Sequence, residues 1–133
     1  MIELMAMFIV ALAGLFLLVL GCIALIRPAR AQGFLLGFAS TARVHFLELA
    51  IRLAVGLSFL GCWRVLEFGE VFRVVGWVLV LTTLVMLLVP WSVHRQFARW
   101  AVPKVLRYTP LIGASSIAMG LAVFAVLSSG TEA

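Results

Sequence analysis

Four apolar segments, each of roughly the length that crosses a lipid bilayer, take up most of this chain. They are Leu4–Ile26, Val44–Trp63, Val71–Val89 and Pro110–Leu127. About twenty helical residues, rising 1.5 Å each, cross a hydrocarbon core of about 30 Å. Because no water is available there, backbone groups must pair within each segment, which requires helices. The sequence therefore predicts an all-α integral membrane protein with four transmembrane helices packed as a bundle.

The composition indicates that nothing is left over for a soluble domain. The chain has 133 residues, of which 65% are hydrophobic and 11% charged, whereas about a quarter of the residues in soluble domains are charged. We therefore expect residues 1–133 to form a single transmembrane domain. The first segment is not expected to be a cleaved signal peptide, because Met1–Met7 contains Glu3 but no basic residue and the apolar run is too long.

The distribution of basic residues predicts the orientation. The middle loop has Arg64 and Arg73, offset by Glu67 and Glu70, whereas the first and third loops are strongly basic. Because cytoplasmic loops carry an excess of lysine and arginine, we expect these two loops in the cytoplasm and both termini in the periplasm of a bacterial inner membrane. The net charge of +5 is thus explained by topology, and no nucleic-acid partner is expected. The basic residues concerned are Arg27, Arg30, Arg43, Arg95, Arg99, Lys104 and Arg107.

The two basic loops also contain amphipathic patterns. Phe34, Leu35 and Phe38 fall together on a helical wheel, and so do Val93, Phe97 and Trp100. Apolar residues on one face with basic residues opposite predict short helices lying in the headgroup region on the cytoplasmic side. The third loop has no acidic residue, so anionic lipid headgroups are its expected partner, with an acidic partner subunit as the alternative. The expected contacts are Arg95, Arg99, Trp100, Lys104 and Arg107.

A weak internal repeat predicts two tandem helix–basic loop–helix hairpins, over residues 1–63 and 71–128. Fixed spacings are the usual sign of repeats. The alternative is a chance match, because apolar sequences align easily. The matching spans are Gly14–Pro28 with Gly76–Pro90, and Arg43–Gly56 with Arg107–Gly120.

The second unit contains Leu88-Val89-Pro90, then Arg107, then Gly113 and Gly120. In these residues it resembles small two-helix bacterial inner-membrane proteins of unknown function. The resemblance covers roughly half of the chain, and its motifs are generic. It implies a bacterial inner membrane and transfers no functional residue.

The second segment carries the polar residues most deeply placed in the membrane. His45, Glu48 and Arg52 share one helical face, and Arg52 would lie roughly 12 Å from the start of the segment. An isolated charge at that depth costs about 2.5–3.5 kcal/mol, so such residues are functional candidates. We predict that this face contacts a partner or a ligand. The alternative is that Arg52 extends to the headgroups, with Glu48 as its intrahelical partner.

Small residues recur at every fourth position of the second and fourth segments. Such residues allow helix backbones to approach closely in lipid. The pattern predicts that the second segment packs on the fourth, with an interface between copies of the chain as the alternative. The residues concerned are Ala50, Ala54, Ser58, Ala114 and Ala118, with Gly120 close to the last of them.

No residue set in the sequence indicates catalysis, a metal site or a cofactor. There is no nucleophile with a paired base and no zinc-ligand spacing. Cys22 and Cys62 are expected near opposite membrane surfaces as small packing residues. His45 and His94 have no ligand-pair spacing, so we expect each to be a solvated histidine. The protein is thus not expected to be an enzyme.

Three functions remain compatible with these features. The first is a non-catalytic accessory, assembly or stabilising subunit of a larger membrane complex. The second is a small homo-oligomeric transporter or channel with a polar site on its cytoplasmic side. The third is a lipid-binding membrane organiser. The expected partners are membrane lipids together with other membrane subunits or further copies of this chain.

Overall fold

The computed structural model describes residues 1–37 and 40–130, without the side chain of Leu106, and throughout these residues the regular structure is helical. Four helices are long and apolar enough to cross a membrane: α1, α3 with the following 3₁₀ turn to Val65, α4 and α6. The prediction of an all-α chain with four such helices is confirmed. The six α-helices are α1 (Ile2–Ile26), α2 (Pro28–Gly37), α3 (Ala42–Cys62), α4 (Gly69–Leu88), α5 (Trp91–Val105) and α6 (Thr109–Gly130).

Local sequence explains where several helices begin. Pro28 is the first residue of α2, a position where proline loses no helical hydrogen bond. The Thr41 side chain accepts a hydrogen bond from the backbone N–H of Val44 at 3.3 Å and caps α3. Between α3 and α4, Phe68 adopts a left-handed conformation with φ of 56°. A Cβ on the next residue, Gly69, would lie 1.9 Å from the carbonyl oxygen of Trp63, so the turn requires glycine.

Glycines bring the long helices together. Helix α1 packs on α6 and α3, and α3 also packs on α4. Between α1 and α6, a Cβ on Gly21 would lie 2.8 Å from the carbonyl oxygen of Gly113. Between α3 and α4, a Cβ on Gly76 would lie 2.9 Å from the carbonyl oxygen of Gly56. We call Gly14, Gly21, Gly113 and Gly120 the α1–α6 glycine seam, and Gly56 with Gly76 the α3–α4 glycine seam.

The prediction that the second segment packs on the fourth through small residues is wrong. The main neighbours of α3 are α4 and α1, and the main neighbour of α6 is α1. Glycine permits a closer backbone approach than alanine because it has no Cβ, so the glycines occupy the contacts and the alanines face outwards. An interface between copies of the chain stays a prediction. Ser58 and Gly120 are buried, whereas Ala50, Ala54, Ala114 and Ala118 are exposed.

The two ends of the molecule differ in character. We call the end with the α3–α4 turn and Gly130, which lies beside Val65, the terminal end, and the end with α2 and α5 the loop end. Buried apolar residues from all four long helices form a core toward the terminal end. At the loop end, α2 and α5 pack on each other. The core includes Ala6 and Val10 of α1, Phe59 and Cys62 of α3, Phe72 of α4 and Val123 of α6.

Candidate functional site at the loop end

Arg52 links α3 to α4 in the half of the molecule nearer the loop end. Its Nη1 lies 3.5 Å from Oε1 of Glu48, one helical turn earlier. Its Nη2 donates a hydrogen bond to the Thr82 hydroxyl of α4 at 3.3 Å. The Thr82 hydroxyl in turn donates to the carbonyl oxygen of Val78 at 2.6 Å. Two of the polar residues predicted on this face are therefore held by contacts within the chain.

The hydrogen bonding of this pair is incomplete. Oε2 of Glu48 and Nε of Arg52 are buried, and neither has a hydrogen-bond partner among the described residues. Leaving a buried polar group unsatisfied costs about 1–3 kcal/mol. The side chain of Arg52 is 33% exposed and that of Glu48 is 18% exposed. The two unsatisfied atoms are therefore enclosed, although other parts of both side chains remain accessible.

His94 of α5 completes the cluster. Its Nδ1 lies 2.7 Å from Nδ1 of His45, and His45 is only 1% exposed. One ring must carry its proton on Nδ1 while the other presents a lone pair there. Burial lowers the pKa of His94, against the opposing effect of the Glu48 carboxylate, while His45 and Arg52 lower it further. His94 is therefore predominantly neutral near pH 7.

Sequence reasoning placed the two histidines incorrectly. The expectation of a solvated histidine is wrong for His45, which is buried, whereas His94 stays partly exposed. The expectation that neither has the other as a neighbour is also wrong, because α5 folds back and brings together rings that are 49 residues apart in the chain. No spacing rule connects two such residues. The role of Thr82 was also missed, although Thr82-Thr83 interrupts an otherwise apolar stretch of α4 and was therefore a visible signal. Thr83 is fully buried and donates to the carbonyl oxygen of Leu79 at 2.6 Å.

The cluster offers three ligand atoms for a cation. His45, Glu48 and His94 each present one such atom, and these atoms all lie within 4.8 Å of one another. They come from two helices, α3 and α5, so the arrangement depends on how α5 packs.

Helix α5 and the 3₁₀ turn that follows it carry the predicted lipid-contacting residues. Val93, Phe97 and Trp100 are exposed, whereas Ala98 is buried. Arg95 lies over the ring of Trp91, and Nζ of Lys104 lies 3.7 Å from the ring centroid of Trp100. Arg95 and Arg99 line a cleft of about 220 Å³ with Leu36, Ser40 and Ala98. Arg99, Lys104 and Arg107 are exposed; Phe38, part of the predicted α2 pattern, lies outside the described residues.

A second concave surface lies where α1 meets α2. This groove of about 480 Å³ is largely apolar and has two arginines among its lining residues. The lining includes Phe16, Val19, Ile23 and Phe34 together with Arg27 and Arg30.

No family model matches this chain, and neither a curated protein nor a solved structure shows significant similarity to it. The resemblance of the second half to small two-helix membrane proteins stays a prediction. What can be proposed about function therefore depends on the residues of this chain alone.

Proposed function

We propose that this protein is a non-catalytic accessory subunit that assembles or stabilises a larger membrane complex through the Glu48–Arg52 pair. The observation that carries this proposal is the unfinished hydrogen bonding of Arg52, which lies within a candidate membrane span and is one-third exposed. An incompletely paired charge in the hydrocarbon region is costly. A carboxylate or carbonyl oxygen on a partner helix would contact the exposed part of the Arg52 side chain and accept from guanidinium N–H groups that Glu48 and Thr82 do not use.

The outer surface of the chain supports the same role. Ala50 and Ala54 on α3, and Ala114 and Ala118 on α6, are exposed rather than used for internal packing. Small residues on a lipid-facing surface let another helix approach closely. These faces offer a second route to a partner subunit or to another copy of the chain.

The proposal includes a location and an orientation. The four long helices form a bundle in a bacterial inner membrane, with the loop end in the cytoplasm, both termini in the periplasm, and α2 and α5 in the headgroup region. The concentration of basic residues in the loops that contain α2 and α5 supports this orientation. The exposed apolar side chains of α5 support its place at the membrane surface.

Recovery of the native complex with a matched pair of double variants tests this role. Membranes containing the full chain are extracted in mild detergent, and co-purifying subunits are quantified by native mass spectrometry. We expect wild type to be recovered stoichiometrically with other subunits, and Glu48→Gln with Arg52→Gln to lose them. The control is Glu70→Gln with Arg73→Gln, which removes an exposed ion pair of 2.8 Å in α4, away from the site. An intact complex in the first variant, or wild type recovered alone, would overturn the proposal.

A small homo-oligomeric transporter or channel is the second candidate. The observation that favours it is the gathering of His45, Glu48 and His94 at one end of the long helices. The described core toward the terminal end is apolar, so a pathway would require a second copy of the chain. This function predicts that Glu48→Gln abolishes ion flux in proteoliposomes while the protein stays folded. The cleft at Arg95 and Arg99 supports the third role, lipid binding, which should weaken as salt rises.

A further inference from the structure

We propose that His45, Glu48 and His94 bind one divalent transition-metal ion, with two imidazole nitrogens and one carboxylate oxygen as ligands. This site goes beyond the accessory role and does not depend on it. Two histidines and one carboxylate are ligands typical of Zn²⁺ and of neighbouring first-row metals. Three protein ligands would leave a fourth position for water or for a group from another molecule.

The ligand distances require little movement. Zinc–nitrogen bonds are about 2.0–2.1 Å long, so two nitrogens on a tetrahedral ion lie about 3.3 Å apart. The Nδ1 atoms of His45 and His94 are 2.7 Å apart, which means that the rings must separate by less than about 1 Å. In the metal-bound state both rings would carry their proton on Nε2. His94 can supply this movement because its ring is only partly buried, whereas His45 is enclosed.

Glu48 is positioned to supply the third ligand. Its Oε2 is buried and without a hydrogen-bond partner among the described residues, so one carboxylate oxygen is unused. Its Oε1 faces Arg52, which is held in turn by Thr82. Partners of this kind orient ligating carboxylates in metal sites. Arg52 and Thr82 would therefore act as positioning residues for Glu48.

The positive charge of Arg52 opposes a cation, and the structure limits this effect. Arg52 contacts one oxygen of Glu48 and leaves the other to the ion, and a third of its side chain is accessible. The ion pair with Glu48 offsets part of the positive charge of the guanidinium. The same charge favours an anionic fourth ligand on the metal.

Metal titration of the purified full chain tests the site. The chain carries Cys22→Ser to remove the exposed thiol and an affinity tag without histidines. After chelator treatment it is titrated with Zn²⁺ by calorimetry and with Co²⁺ by visible absorption. We expect one ion per chain and a Co²⁺ spectrum that reports nitrogen and oxygen ligands.

Three variants assign the ligands. Glu48→Gln and His94→Asn should each weaken Zn²⁺ binding by on the order of tenfold or more and change the Co²⁺ spectrum. Glu70→Gln, which removes a carboxylate at the far end of α4, should leave both unchanged. Thermal unfolding of each metal-free variant identifies any loss of fold. If Glu48→Gln is unstable, the Zn²⁺ affinity of His94→Asn tests the site instead. No stoichiometric binding by the folded chain, or undiminished binding by folded His94→Asn, would overturn the proposal.

Discussion

At the residue scale, the three nitrogens of Arg52 occupy three different environments. Nη1 faces Glu48, Nη2 donates to Thr82, and Nε has no hydrogen-bond partner among the described residues. A planar guanidinium can address several acceptors at once, which an ammonium group on a flexible stem does less well. A single side chain thus connects two helices, and its Nε lies enclosed without an acceptor among the described residues.

The contact between Arg52 and Thr82 predicts the effect of removing one hydroxyl. Thr82→Val keeps the shape of the side chain but removes the acceptor for Nη2, so Arg52 loses a partner within a candidate membrane span. We expect a loss of about 1 kcal/mol in the free energy of unfolding, measured by denaturant titration in mixed micelles. The control is Ser115→Ala on α6, whose hydroxyl donates to the carbonyl oxygen of Ile112 within its own helix. Equal effects of the two variants would contradict a specific role for Thr82.

Sequence alone predicted part of this site. The four-residue spacing of Glu48 and Arg52 predicted that they would be neighbours on one helical face. Thr82 and His94 belong to other helices, and helical periodicity says nothing about which turn of α4 or which face of α5 lies opposite Arg52 and His45. Those contacts are fixed by tertiary packing.

At the element scale, glycine spacing decides which helices pair. Gly14 and Gly21 on α1 are seven residues apart, as are Gly113 and Gly120 on α6, so each pair lies on one face two turns apart. The contact of Gly14 with Gly120 has a counterpart in the contact of Gly76 with Gly56. In the internal repeat, Gly14 corresponds to Gly76 and Gly120 corresponds to Gly56. The repeat itself stays a prediction.

The alanine pattern misled the sequence-based prediction for a physical reason. A small residue at every fourth position signals close approach in lipid, but it does not distinguish a surface already in contact from one left exposed. Ala50 and Ala114 face outwards, while the glycines make the closest contacts. The positions of the long helices were predictable because length and apolarity suffice for that.

The α1–α6 glycine seam predicts that one added methyl group will weaken the fold. In Gly21→Ala, the new Cβ would lie 2.8 Å from the carbonyl oxygen of Gly113 and 2.7 Å from the Ile117 side chain, so the helices must separate. We expect a loss of about 1–3 kcal/mol in the free energy of unfolding in micelles. Gly61→Ala on α3 is the control, because its Cβ would meet only Ala6, at an ordinary 3.4 Å. Similar stability of the two variants would contradict close backbone packing at the α1–α6 glycine seam.

At the scale of the whole molecule, the buried apolar core and the excess of positive charge lie at opposite ends. The core of Val10, Phe59 and Phe72 lies toward the terminal end, whereas α2 and α5, with their basic residues, lie at the loop end. A molecule with this distribution has a preferred orientation in a membrane whose two surfaces differ.

Labelling of single cysteines measures that orientation. In a background with Cys22→Ala and Cys62→Ala, Glu67→Cys marks the terminal end and Ser92→Cys marks the loop end; both positions are exposed. With an impermeant maleimide added to intact spheroplasts, we expect Glu67→Cys to react and Ser92→Cys to react only after the membrane is opened. The reverse pattern would place the loop end outside.

The pairing of α1 with α6 has a consequence for how the protein is made. These helices are the first and last of the six described along the chain, so in the proposed membrane arrangement a ribosome completes α6 long after α1 has entered the bilayer. The hairpin of α3 and α4 can close as soon as both are inserted, and α1 can meet α3. The face of α1 that carries Gly14 and Gly21, however, remains against lipid until translation has passed Gly120. During that interval the nascent chain is vulnerable to quality-control proteases and to mispairing with a neighbouring chain.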